Sequence, residues 1–190
     1  MTPNWPNWQK PSRQQSPERR GLAGLGELPS HRNDPLLFTA LLYLHVIGAT
    51  VILGTGTGIA FFMLMAHLSG NVPFIARTAG VVVVADLLFT ATAVIVQPIT
   101  GYLLLRETAI PPGQGCVVLS MLLYVAAGVF WLPVVWMQAQ MRHLARTADT
   151  SGEPLPKRYY QLFRLWFVFG FPGFGAVLAI IWLMIDKPTF

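Results

Sequence analysis

From residue 34 onward the chain alternates between long apolar runs and short polar breaks. A helix needs about 20 residues, at a 1.5 Å rise, to cross roughly 30 Å of hydrocarbon. Four runs reach that length, at about 35–68, 78–105, 116–141 and 163–185. Asp34 can N-cap the first, Pro35 suits its N1 position and Gly70 can end it. The breaks NVPFIAR, RETAIPPGQG and RHLARTADTSGEPLPKRYYQ each carry proline, glycine or charge. The expected fold is all-α: an up-down bundle of four transmembrane helices over residues 34–190. Residues 1–33 follow another pattern, with five prolines and no long apolar run. They lack the apolar core of a secretory signal and read as a flexible extramembrane tail. Trp5 and Trp8 in that tail can rest at a lipid interface or dock on a partner.

Each run also has an internal pattern. In the second, Asp86, Thr90, Ala93, Gln97, Thr100 and Gly101 share one face at helical spacing, opposite Val, Leu and Phe. Polar groups facing lipid are costly, so this face is expected to point into the bundle. Pro98 frees the carbonyl of Val94 and predicts a kink. The third run carries a milder stripe of Ser120, Tyr124, Ala127, Trp131 and Gln138, with Pro133 nearby. In the fourth, Arg164, Val168, Phe171, Gly175 and Trp182 share a face, and Gly170, Pro172 and Gly173 make the centre narrow. Tyr43, Tyr102, Trp136, Trp166 and Trp182 lie toward run ends, where aromatic belts are expected.

Counting through antiparallel hairpins puts His45 roughly 10 Å from the centre of the first helix. Gln97 falls at the same level, close to Met121 and Tyr124. Asp86 lies in the other half of the membrane, nearer Arg164. Two polar levels are therefore expected. One joins His45 to Gln97 and Tyr124. The other is a structural ion pair of Asp86 with Arg164, because a lone buried carboxylate is costly.

The stretch LHVIGATVILGTGTGIAFFM, residues 44–63, holds the sharpest question. Its GTGTG is not a phosphate loop. The glycine spacing is wrong, no lysine follows and the flanks are membrane helix. Gly54 and Gly58 lie on the side away from His45 and form a small-xxx-small pair that lets another helix approach. Gly48, Ala49 and Gly56 leave low relief on the imidazole side. His45 then has three readings. It is a core histidine bonded to Gln97, Tyr124 or a helical carbonyl, or an axial ligand of haem b, or a proton relay. No second intramembrane histidine lies at that depth. A haem would be five-coordinate or completed by Met121.

Composition supports the membrane assignment and narrows the chemistry. The chain is 54% hydrophobic and 11% charged, against about 25% charged in soluble domains. Its net charge of +5 suits anionic lipid, and the basic residues flank apolar runs, so no nucleic acid is expected as a partner. One cysteine, Cys116, excludes an intrachain disulfide and a cysteine-based zinc site. His67 and His143 end the first and third helices on one side, but no carboxylate completes a ligand set and no metal is assigned. Met63 and Met65 point to different sides and form no copper box. No Ser-His-Asp set, paired carboxylates or HExxH motif supports a hydrolase. Arg19, Arg20, Arg32, Arg106 and Lys187 on one side balance Arg77, Arg142, Arg146, Lys157, Arg158 and Arg164 on the other, so charge does not set orientation.

The segments LHVIGATVILGTGTGIAFFM, ADLLFTATAVIVQPITG, FWLPVVWMQAQMRHLAR and LPKRYYQLFRLWF resemble, in that order, the bacterial integral membrane family labelled domain of unknown function 2269 (DUF2269). The resemblance covers about 36–187 and implies a multi-pass protein of the bacterial inner membrane with no assigned activity. A more distant resemblance, through a first helix with an LH pair followed by small residues, is to the HemJ-type protoporphyrinogen oxidases and the CopD-like membrane proteins. In the HemJ-type family a histidine on that helix is associated with b-haem, and the matching position is His45. That family's other functional residues find no match on helices 2–4, so protoporphyrinogen oxidation is not implied. Three function classes follow: a haem-binding redox protein or oxidoreductase subunit, an accessory subunit of a larger membrane complex, and a small transporter or proton conduit using Asp86, Gln97 and Arg164.

Overall fold

Helix ends in this chain are set by caps and turns as much as by hydropathy. The structure, a computed structural model, describes residues 34–188. The tail at 1–33, with Trp5 and Trp8, lies outside them. Among the described residues all regular structure is helical, in four long helices: α1 Pro35–Ser69, α2 Val72–Thr108, α3 Gly115–Ser151 and α4 Lys157–Asp186. All four are long and apolar enough to cross a membrane.

Three of them start or stop outside their apolar runs, α4 by beginning at Lys157. α2 begins at Val72 because the Asn71 side chain accepts the Phe74 N–H at 2.9 Å and Pro73 is tolerated in the first turn. The polar stretch after Met141 continues α3 as helix to Ser151, with Ala145 and Ala148 buried. Only 152–156 connects α3 to α4. Gly70 closes α1 at φ +64° and Gly152 closes α3 at φ +71°, turns that glycine makes without a Cβ clash.

Within α2, residues Asp86–Thr90 form a π turn, and the Ala91 N–H reaches the Asp86 carbonyl five residues back. Such single-turn insertions widen a helix locally and concentrate at functional sites. Here the turn divides α2 between partners. The segment before it packs on α3 as well as α1, and the segment after it packs along α1.

The apolar core sits at one end of the bundle, where α1 finishes, α2 starts, α3 finishes and α4 starts. Ile59, Met63 and Ala66 meet Ile75, Ala79 and Val82, then Met137, Met141 and Ala145, then Tyr159, Phe163 and Trp166. Lipid is as apolar as leucine, so close backbone approach drives association here, and small residues such as Ala66, Ala76 and Ala145 permit it. At the other end the helices separate into two pairs, α1 with the second part of α2, and α3 with α4. Large apolar side chains dominate the outer surface of the spans, with Leu87 74% and Trp182 66% exposed, as a bilayer requires.

Candidate functional site

The stripe on α2 is buried as its spacing predicts, since Asp86, Thr90, Ala93, Gln97 and Thr100 all face inward. It forms two separate polar centres.

The first joins α1 to α2 at the split end. His45 is half-buried, and its Nδ1 lies 2.8 Å from Thr100 Oγ1. The Thr100 hydroxyl is also placed to donate back to the carbonyls of Val96 at 2.9 Å and Gln97 at 3.1 Å. With its single proton directed there, Thr100 accepts from Nδ1–H, and Nε2 carries the ring's lone pair. This tautomer is assigned from the hydrogen-bond pattern. No hydrogen bond to Nε2 exists among the described residues. Gln97 bonds the backbone of His45, donating from Nε2 to its carbonyl at 2.9 Å. Two glycines permit this closeness. A Cβ at Gly48 would stand 3.1 Å from Gln97 Nε2, and one at Gly101 would stand 3.2 Å from His45 Cε1.

Tyr124 is not part of this centre. Its hydroxyl donates to the Val94 carbonyl, the one that Pro98 deprives of its helical N–H. It thereby ties α3 to α2 where the two otherwise diverge.

The second centre lies around Asp86, on the π turn. Trp131 Nε1 approaches Asp86 Oδ1 at 3.4 Å. The Gln138 amide, oriented by its hydrogen-bond pattern, donates to Asp86 Oδ2 at 3.0 Å and accepts from Trp166 Nε1 at 3.2 Å. One carboxyl thus links α2, α3 and α4. Its partners are neutral. The expected ion pair with Arg164 does not form, because Arg164 lies on the exposed face of α4. A long guanidinium near a helix end keeps its hydration at little cost, whereas pairing would desolvate it.

Other sequence expectations fall apart from both centres. Met121 is 52% exposed on α3, which does not pack along α1, so it is not brought against His45. Asp86, Gln97 and Arg164 do not converge on one conduit. Gly54 and Gly58 pack against no helix among the described residues, and nothing lies within 4 Å of a Cβ built at either. The reason is geometric: His45 turns its own face of α1 toward α2, so the opposite face points outward. Gly56 is equally open, but Gly48 is filled by Gln97 rather than left clear beside the imidazole. His67 stacks on Phe163 with ring centroids 3.7 Å apart, whereas His143 lies in a groove with Arg142 and Arg146. No three His, Cys, Asp or Glu side chains among the described residues converge to hold a metal. Met63 is buried and Met65 exposed.

The residues that sequence reasoning missed were in its own stripes. Trp131 and Gln138 share the α3 face with Tyr124. The antiparallel register that sets Tyr124 against Val94 sets Trp131 against Asp86. Thr100 lay on the α2 stripe, one turn from Gln97, and was the better-placed partner for the ring.

Neither the curated proteins nor the solved structures compared with this sequence include a match. The family described as "Predicted integral membrane protein (DUF2269)" matches residues 39–188, which takes in all but the first turn of α1 and every residue of both polar centres. A match over that much of the sequence, on a four-helix membrane bundle, means that the chain belongs to the DUF2269 family of predicted integral membrane proteins.

Proposed function

We propose that this protein is a haem-linked redox protein, or an oxidoreductase subunit, of the bacterial cytoplasmic membrane, with His45 as the axial ligand. One observation carries the reading: Nδ1 of His45 is held by Thr100 while Nε2 keeps a lone pair without a hydrogen-bond partner among the described residues. Ligating histidines are fixed in this way, by a hydrogen bond from the other ring nitrogen. The donor set fits one axial bond and offers no second one, since Met121 is turned away. Haem bound there would supply one-electron redox chemistry. The chain's own part is to fix the imidazole tautomer through Thr100, to hold its backbone through Gln97, and to admit the ring against Gly101. The bacterial setting rests on the resemblance to bacterial families. The test is haem content, measured as pyridine haemochrome, after purification from haem-replete cells. Wild-type protein is expected to retain haem and His45→Ala to lose it. Haem-free wild-type protein of intact fold would refute the reading.

A second reading, an accessory subunit of a larger complex, has its own observation. The Gly54–Gly58 face of α1 is bare of any helix among the described residues and has the spacing of a close-packing face. Gly54→Leu with Gly58→Leu would then detach the protein from a co-purifying membrane partner in mild detergent, and an unchanged monomer with no partner would count against it.

A further inference from the structure

A groove of about 520 Å³ runs between α2 and α3 at the closed end of the bundle. Arg77 on α2 and Arg142 and Arg146 on α3 stand together in it. Arg146 lies over the α2 backbone, with Nη2 3.5 Å from where a Cβ of Gly80 would be. None of the three makes an ion pair with a carboxylate among the described residues. Beyond the arginines the wall is apolar. Val81, Val84 and Phe89 line it and are 68%, 57% and 50% exposed. From Arg77 to Phe89 the helix rises about 18 Å, close to half of the roughly 30 Å hydrocarbon core.

Each part of this arrangement selects for something. Three guanidiniums that share a groove repel one another unless an anion joins them. Planar forks that bind two oxygens at once match a phosphate. They sit where α2 and α3 leave their apolar runs, at the depth of lipid headgroups. The apolar strip leads from there toward the bilayer centre, on the path of an acyl chain. A soluble anion would have no use for the strip, and a neutral lipid no use for the arginines.

We propose that this groove is a binding site for one anionic phospholipid, its phosphate held by Arg77, Arg142 and Arg146 and an acyl chain lying along Val81, Val84 and Phe89. The site is independent of the His45 reading, lying near the opposite end of the bundle.

Native mass spectrometry of the full chain in neutral detergent tests it, with dioleoylphosphatidylglycerol as probe and dioleoylphosphatidylcholine as comparison. Wild-type protein should retain the anionic lipid preferentially. Combined Arg77→Gln, Arg142→Gln and Arg146→Gln should weaken retention about a hundredfold, on the scale of three surface charges. Val84→Trp keeps every charge and blocks the apolar strip, and it should weaken retention as well. It decides the matter if the triple variant loses its helical circular dichroism. Lys157→Gln with Arg158→Gln removes basic charge at the same end outside the groove and should leave retention unchanged. The proposal is overturned if the groove variants bind like wild type, if the Lys157 and Arg158 pair matters as much, or if millimolar inorganic phosphate displaces the lipid.

Discussion

The two ends of the bundle are built on different principles. At the closed end all four helices meet, and Ala66, Ala145 and Tyr159 are fully buried. At the split end the helices stand in two pairs: His45 bonds Thr100 and its carbonyl accepts from Gln97 within one pair, and Tyr124 donates to the Val94 carbonyl between the pairs. The closed end gains stability from close packing of small side chains over a wide contact. Between its two pairs the split end has few contacts to lose, and hydrogen bonds within a bilayer average about 0.6 kcal/mol each. A half-buried histidine with an uncommitted nitrogen is found where packing is sparse. The π turn at Asp86 marks the boundary between the two regimes.

The contrast can be broken by substitution, beginning at the closed end. Ala145→Leu inserts three carbons where no space exists. It should cost about 1–3 kcal/mol, read as a lowered unfolding midpoint in detergent. If it proves silent, the closed end is not a packed core. Asp86→Ala comes next. It leaves the Gln138 amide and the Trp131 N–H without their acceptor, for a loss of about 1–2 kcal/mol. Asp86→Asn retains one of the two acceptor oxygens and should cost about half as much. Equal losses in both variants would mean that the site needs the carboxyl itself rather than hydrogen-bonding capacity.

Tyr124→Phe should cost only about 0.6 kcal/mol. Its origin can be isolated, because Pro98→Ala returns an N–H to the Val94 carbonyl and should make Tyr124→Phe nearly silent in that background. A double-mutant cycle reads this coupling directly. Additive effects would remove Tyr124 as the tie between the helix pairs. Smallest of all is Gly54→Leu. With nothing within 4 Å it should shift monomer stability by no more than about 0.5 kcal/mol, and a larger loss would place another helix on that face.

What the sequence disclosed follows from which forces are periodic. Helix number and the inward face of α2 were legible because hydropathy and the 3.6-residue repeat both act locally. The true start of α2, end of α3 and start of α4 were not. The Asn71 cap and the alanines of the polar α3 extension stabilise helix outside any apolar run. The two polar levels were visible in the depth count, but their members were only partly so. Asp86 was matched to Arg164 by charge, whereas burial favours the neutral donors Trp131 and Gln138 and leaves the arginine hydrated. The π turn leaves no periodic trace, since one extra residue per turn is spent within five positions. Gly54 and Gly58 were read from their spacing as a helix-packing face opposite His45, and nothing lies within 4 Å of a Cβ built at either. That nothing among the described residues covers this face depends on which face of α1 the His45–Thr100 bond turns toward α2.

Whether a haem sits on His45 is read from a visible spectrum of the purified protein, air-oxidised and then reduced with dithionite, beside His45→Ala. Wild-type protein should show a Soret band with reduced-state α and β bands, and the variant should lose them. A featureless wild-type spectrum from haem-replete cells, or bands that survive in His45→Ala, would contradict haem ligation by His45.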